Sequence, residues 1–551
     1  MLKENVSLIG ASVIDGNRIC VVVRIKDYIH DDYVDVSIPR DEFSPKVINQ
    51  VIVRNGGICQ DEKQICRSLK KSFDNGLITG NLEIQNFHNR LGWQKAKDGI
   101  IFLGKDAISA DGGVQSSYSG RVNVEKVGNV ENIIELIKSK IVALNEWSPL
   151  EAVISFGVGA TVLAYANTAW GASLNNLIFH LMGGSSTGKS TSLTLFEAFG
   201  SNPNPKEGFW INFNSSSESV IQRIGDNCGY PVSIDELSGG KKKDYESFVY
   251  SVGNGEEKDR LKPGGSGFRD SATFQTVVLS SGEVSLLKRC SNCEGIRARC
   301  IELTNVNWTN SKQQSISIKE CMRQNYGLIT PMVAKELLDN DDKWRERWEY
   351  HKQQVNDRME KDEIRLQVTE RIADFVALFT LSAEIANEVL NVGLHVDAIS
   401  KFCYEYIVIA NEEEGNMATR AYSAIVEYIS MHKDRFADAT FYTGCRTMWN
   451  DITLTENEDG FFHNVRKKMI GDTEYSMVYV FRKPTIENIL SDAGFSEPKI
   501  SLIKLREEGY LKTKDKLRNT LKYKVNGSEQ DCVAIYFKDY TLEEFELWDE
   551  N

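Results

Sequence analysis

LIFHLMGGSSTGKST, residues 177–191, decides how this 551-residue chain folds. An apolar run (177–182) feeds a turn containing G-x-x-x-x-G-K-S from Gly183 to Ser190. A helix-like run with Leu193, Leu195, Phe196 and Phe199 follows. Strand, loop and helix in that order gather backbone N–H groups and the positive end of a helix dipole around an anion. Glycines let the backbone come close to it. The residues Gly183, Gly184, Ser185, Ser186, Thr187, Gly188, Lys189, Ser190 and Thr191 therefore read as a cradle for ATP. Lys189 is expected at the β- and γ-phosphates, and Ser190 on Mg2+.

Working outward, PVSIDE (231–236) reads as a strand ending in adjacent acids, with Ser233 interrupting its apolar run. Asp235 fits a second Mg2+ ligand, and Glu236 a group that polarises the attacking water. A glutamate there favours hydrolysis over transfer to a metabolite. TFQTVVLSSGE (273–283) predicts a further strand, lying between the first two. Ser280 or Ser281 at its end would orient water or the γ-phosphate. GIRARCIEL (295–303) sets two arginines before another strand. Arg299 first, Arg297 second, is expected to reach the γ-phosphate of a neighbouring subunit. Arg371, opening an apolar helix, is a weaker expectation for a second sensing cation.

Before the 273–283 strand, EEKDRLKPGGSGFRDSATF (256–274) predicts a hairpin around Pro263-Gly264-Gly265-Ser266-Gly267. Lys258, Arg260, Lys262 and Arg269 cluster there and suit a phosphate backbone. A second basic region lies near the C-terminus. A helix from about Pro484, a turn with Gly494, a helix near 497–508 stopped by Gly509, and two strands joined at Asn526-Gly527 follow the winged-helix order. Residues 498–524 hold nine basic and three acidic side chains, among them Lys499, Lys504, Arg506, Lys512, Lys514, Lys516 and Arg518. Single-stranded or forked DNA is the expected partner.

Whole-chain composition is compatible. Net charge is −13, which argues against a protein that coats nucleic acid everywhere but allows a local basic channel. The 41% hydrophobic and 26% charged content excludes collagen-like and wholly disordered chains. Eleven scattered cysteines and an N-terminus without a signal pattern lead to the expectation of a reduced, cytoplasmic protein. The one CxxC, Cys290 and Cys293, has no second pair for zinc. Between Ala152 and Gly188 there is no charged side chain, long enough for a membrane span, but its small polar residues and the adjoining strand predict a buried helix. The domains are expected at 1–145 (mixed, β-rich), 146–330 (nucleotide-binding α/β core), 331–415 (helical lid or linker) and 416–551 (winged helix).

Taken together, GGSSTGKST, the Asp235-Glu236 pair, the basic hairpin, VVLSSGE and GIRAR resemble the MCM-like AAA+ helicases of staphylococcal cassette chromosome and pathogenicity-island elements, the Cch type. The similarity is clearest over 150–410. It implies a multidomain α/β fold: an AAA+ P-loop ATPase core, a mixed β-rich N-terminal domain and a C-terminal winged-helix domain. It further implies a self-loading replicative DNA helicase, a homohexameric ring with ATP sites between subunits, and element-encoded replication proteins as partners. Two alternatives remain open at this point. One is an initiator or helicase loader that does not itself unwind; the other is a P-loop metabolite kinase, which the basic C-terminal domain disfavours.

Overall fold

A computed structural model describes residues 5–97, 99–142, 147–213, 216–237, 245–257, 271–290, 294–364, 367–411, 417–439, 452–471, 473–495, 497–514 and 517–538. The first sheet has the order β3-β2-β1-β4-β8: β1 (Val6–Ile14), β2 (Arg18–Asp27) and β3 (Asp32–Pro39) form an antiparallel meander. β4 (Ile84–His88) and β8 (Ser117–Tyr118) extend it in parallel. Alternation along β2 and β3 turns Val21, Val23, Ile25 and Ile38 onto helices α1 (Pro45–Arg54) and α2 (Glu62–Thr79), closing a small core with Phe43, Ile48, Ile52 and Phe73.

The next three strands leave that core. β5 (Leu91–Ala96), β6 (Gly99–Leu103) and β7 (Ala107–Ser109) pair antiparallel, and β11 (Asn227–Cys228), from much later in the chain, joins β5 in parallel as the outer strand. Leu91, Trp93 and Phe102 are buried in the large central core, and Trp93 Nε1 donates to the Thr161 carbonyl at 2.9 Å. Residues on both sides of the expected boundary at 145 thus share the central core, beside the smaller N-terminal one. Spacing shows that 91–103 is strand, but not which core its buried face joins.

The central sheet is fully parallel, in the order β10-β12-β13-β9-β14, from β9 (Leu177–Met182), β10 (Trp210–Asn212), β12 (Val232–Asp235), β13 (Val277–Gly282) and β14 (Cys300–Leu303). Parallel strands covered on both faces tend toward continuous apolar runs, which β9 follows apart from the buried His180 and which Ser233 interrupts in β12. Their covers include α3 (Val130–Ile137), α4 (Pro149–Tyr165), α5 (Lys189–Glu197), α6 (Ser217–Ile224), α7 (Tyr245–Asn254), the short α8 (Glu294–Arg297) and α9 (Lys312–Gln324). The uncharged stretch is α4 and its π-helical continuation to Trp170. By length and composition Pro149–Trp170 could cross a membrane, yet nearly all of it is enclosed by protein. Phe156 of α4 stacks on Phe179 of β9 at 3.9 Å between centroids. Gly159 lets the helix meet its neighbour, since a Cβ there would lie 2.6 Å from the Phe379 ring.

Four helices follow: α10 (Ile329–Asp339), α11 (Asp341–Lys361), α12 (Gln367–Leu390) and α13 (Val396–Tyr404). They share the central core, with Phe375, Val376, Phe379 and Ile385 buried in it. The helical region expected over 331–415 thus packs into the central core. The charged helix α11 buries Trp344, Trp348, His351, Val355 and Met359 as one stripe. The C-terminal part has two cores of its own around a five-stranded sheet, β15-β16-β17-β19-β18: β15 (Phe436–Asp438), β16 (Gly460–Ile470), β17 (Thr473–Arg482), β18 (Leu521–Val525) and β19 (Ser528–Phe537).

Candidate nucleotide-binding cleft and DNA interface

The loop after β9 opens a cleft of about 960 Å³ at the C-terminal edge of the parallel sheet, where the strand order places open α/β sites. Ser185 to Thr191 form one wall; Asp235, Glu236, Ser281 and Glu283 face them. Gly188 has φ +92°, and a Cβ there would lie 2.9 Å from the Thr309 backbone nitrogen, so only glycine fits. The Lys189 ammonium lies 2.6 Å from the carbonyls of both Gly183 and Gly184, and Ser190 is exposed in the cleft at the start of α5.

Strand order decides which acids meet this loop. β13 lies between β9 and β12, as expected, so the end of β13 stands beside Asp235. Ser281 Oγ donates to Asp235 Oδ1 at 2.6 Å and accepts from the Glu236 N–H at 3.3 Å. Glu236 has φ +57°, an unfavourable value for a residue with a Cβ, and its side chain is exposed in the cleft. Ser280 faces the other way. It is fully buried, donates to the Phe179 carbonyl at 3.3 Å and lies 2.9 Å from His180 Nδ1. Of the two serines, Ser281 lines the cleft and Ser280 is buried behind it. Strands alternate faces, so one residue of the pair had to point inward.

Three features of the cleft carry no local sequence signal. Behind it Ser233 reaches α5, its Oγ donating to the Leu193 carbonyl at 3.3 Å and its N–H to Glu197 Oε2 at 3.1 Å, while the Phe209 N–H donates to Glu197 Oε1 at 2.6 Å. Arg289 reaches the cleft from a 3-10 turn whose amides at Leu286 and Leu287 are held by Glu302 Oε1. The N-terminal half of α9 forms the third wall. These side chains converge only through the fold.

Residues 416–540 match the family described as "Cch helix turn helix domain", and residues 18–270 match a domain of unknown function, DUF927. A solved structure described as "SCCmec type IV Cch - active helicase" superposes with a TM-score of 0.75. The alignment covers 97% of this chain and 93% of that one at 17% identity. The chain has the Cch fold. The apo A form of the NrS-1 C-terminal region aligns at 9% identity over 72% of this chain and 89% of that one, with a TM-score of 0.22. No curated protein matches in sequence.

Within the Cch fold, Arg299 and Arg297 precede β14 at the N-terminal end of the sheet, opposite the cleft. Arg299 is docked: Nε and Nη2 donate to Asn254 Oδ1 at 3.2 and 2.9 Å, Nη1 donates to the Gly295 carbonyl at 2.8 Å, and the guanidinium lies 5.0 Å from the Tyr250 ring centroid. Arg297, half-buried, ends α8. Arg371 falls in α12, its side chain outside the described residues. Lys258, Arg260, Lys262 and Arg269 also lie outside them, as do Lys516 and Cys293. The flanks of that segment pair antiparallel, with the Glu257 N–H donating to the Ala272 carbonyl at 3.0 Å, as a hairpin base would.

In the helix-turn-helix domain the expected order holds: helix Lys483–Asp492, helix Pro498–Glu507, then β18 and β19 as the wing. The second helix buries Ser501, Leu502 and Leu505 and exposes Lys499, Ile500, Ile503 and Lys504. Lys514 and Arg518 are exposed as well. Arg506 is half-buried and donates to Asn519 Oδ1 at 2.9 Å. Lys512 is half-buried, and burial holds its ammonium below the ordinary lysine range. These two are less accessible than the other described members of the expected DNA-facing set in this domain. A basic stretch missed in sequence, Arg466-Lys467-Lys468 of β16, is exposed on the β16–β17 hairpin.

Proposed function

We propose that this chain is an ATP-dependent DNA helicase of a mobile genetic element, working as a self-loading homohexameric ring in the cytoplasm. Its central body would then be an AAA+ core, and replication proteins encoded by the same element its partners. The carrying observation is the convergence of the 183–191 loop with Asp235, Glu236 and Ser281 on one parallel sheet, in a chain with the fold of a structure described as an active helicase.

Backbone amides of the loop and the N-terminus of α5 would hold the phosphates, with Lys189 turning from its carbonyl contacts to the β- and γ-oxygens. The Ser190 hydroxyl and Asp235 carboxylate are hard oxygen donors suited to Mg2+, which would neutralise developing charge. Glu236 would orient water, with Ser281 holding both acids in register. Arg299 lies about a strand length away, roughly 20 Å for six residues, so it would serve a neighbouring subunit's nucleotide. The nearby 256–274 hairpin would move along one strand in the pore.

The test is strand displacement. Wild type is expected to unwind forked DNA with ATP, and Lys189→Ala to lose both unwinding and ATP hydrolysis. Unwinding that survives the substitution would refute the assignment. The winged helix also suits an initiator or loader; ATP hydrolysis without strand displacement, unless another helicase is added, would favour that reading.

A further inference from the structure

The helix α9 adds a cation to this cleft that neither the motifs nor the fold comparison assigns. Its cap, Ser311, accepts from the Gln314 N–H at 3.1 Å, and Lys312, Ser315 and Lys319 follow along the face that lines the cleft. That face is fixed to the phosphate loop. Thr191 Oγ1 donates to Ser315 Oγ at 3.1 Å, Ser315 Oγ to Thr309 Oγ1 at 3.0 Å, and the Trp308 N–H to the Thr187 carbonyl at 2.8 Å. Behind it, Ile318 and Met322 are buried, and Gln314 Nε2 donates to the Lys140 carbonyl at 2.6 Å.

Several other charges of the cleft are engaged, while Lys312 is exposed to solvent. Lys189 is on carbonyls, Arg289 lies 5.6 Å from the centre of the Tyr245 ring, and Glu283 accepts from Ser185 at 3.0 Å. Lys319 differs. It is half-buried and makes no hydrogen bond or ion pair among the described residues. Burial and the neighbouring Arg323 push its ammonium down, while Asp235 pulls it up. A partly desolvated cation lining a cleft shaped for phosphates, with no ion-pair partner among the described residues, is placed to take an anionic ligand.

We infer that Lys319 is a catalytic residue acting within its own subunit, its ammonium contacting the terminal phosphate of the bound triphosphate across from Lys189. It takes the sensing place that the sequence suggested for Arg371. This rests on the nucleotide reading above. A contact to the γ-phosphate alone predicts discrimination between triphosphate and diphosphate, whereas a structural role would affect both.

The experiment titrates full-length wild type, Lys319→Met, Lys319→Arg and Lys189→Ala with fluorescent ATPγS and ADP in Mg2+, with thermal midpoints measured without nucleotide. Lys319→Met keeps most of the aliphatic stem. It is expected to weaken ATPγS roughly 10- to 100-fold, the worth of a charge-assisted hydrogen bond, leave ADP within about twofold and keep the midpoint. Lys319→Arg is expected to recover most of the ATPγS affinity. Equal losses for both nucleotides, no loss for either, or a fallen midpoint in both Lys319 variants overturns the inference. If wild type binds neither nucleotide, the nucleotide reading itself fails. If only Lys189→Ala loses binding, that reading stands and the role of Lys319 falls alone.

Discussion

Glu197 shows what a single residue can hide. It is fully enclosed behind the phosphate loop and accepts hydrogen bonds from Ser201, Phe209 and Ser233, so it joins α5 to β12, the strand that ends at Asp235. Burial pushes its carboxyl up to about 7, against the lowering effect of those bonds. The unfolded chain would release this proton near 4.5, so between that value and 7 the native state holds a proton the unfolded state lacks. Stability from this group is full below the lower value and is lost as pH rises through 7. The thermal midpoint of wild type should therefore fall more between pH 5 and pH 8 than that of Glu197→Gln. The difference corresponds to a few kcal/mol at most, about 1.4 for each unit of pKa separation. Parallel pH profiles for the two proteins would remove Glu197 from the account. The motif residues at 183–191, 235 and 236 were legible because their chemistry is local. Glu197, Ser233 and Lys319 were not, because burial and convergence depend on chain segments far away in sequence.

At the scale of elements, α7 connects two expectations made separately. Its last residue, Asn254, holds Arg299, and the chain then runs through Glu256, bridged to Thr273, into the hairpin segment. Gly253 makes room for the arginine, since a Cβ there would lie 2.4 Å from its Cδ. An arginine that leaves Asn254 for a neighbour's phosphate would release the helix end that carries the hairpin base. Arg299→Ala should abolish ATP hydrolysis, as should Lys189→Ala. Mixed with each other, the two variants should regain part of the activity, because some interfaces then pair an intact loop with an intact arginine. Mixtures as inactive as either parent would place Arg299 outside the shared site. The strand order around this helix was readable from where Asp235 and Ser281 fall, since a parallel sheet puts its loops at one edge. That β5–β7 would recruit β11 was not, because two-residue strands lack a pattern of their own.

For the whole molecule, the distribution of charge matters more than its sum. A chain of net −13 is repelled by DNA at long range, so the DNA binding proposed above would have to come from patches that outweigh the field locally. The helix-turn-helix domain supplies one, with Lys499 and Lys504 on the exposed face of its second helix and Lys514 and Arg518 leading into the wing. The count of basic residues over 498–524 marked this region in sequence, but not that Arg506 and Lys512 are half-buried. Phosphate contacts release counterions, so each lowers the slope of log affinity against log salt by about 0.9 on duplex DNA. Replacing Lys499, Lys504, Lys514 and Arg518 together by alanine should weaken duplex binding at low salt and flatten that slope by up to about 3 to 4. The same four substitutions at high salt should matter little, since screening already suppresses the contacts. A slope equal to wild type would mean that these side chains do not meet phosphate, and that the domain uses this helix for a protein instead.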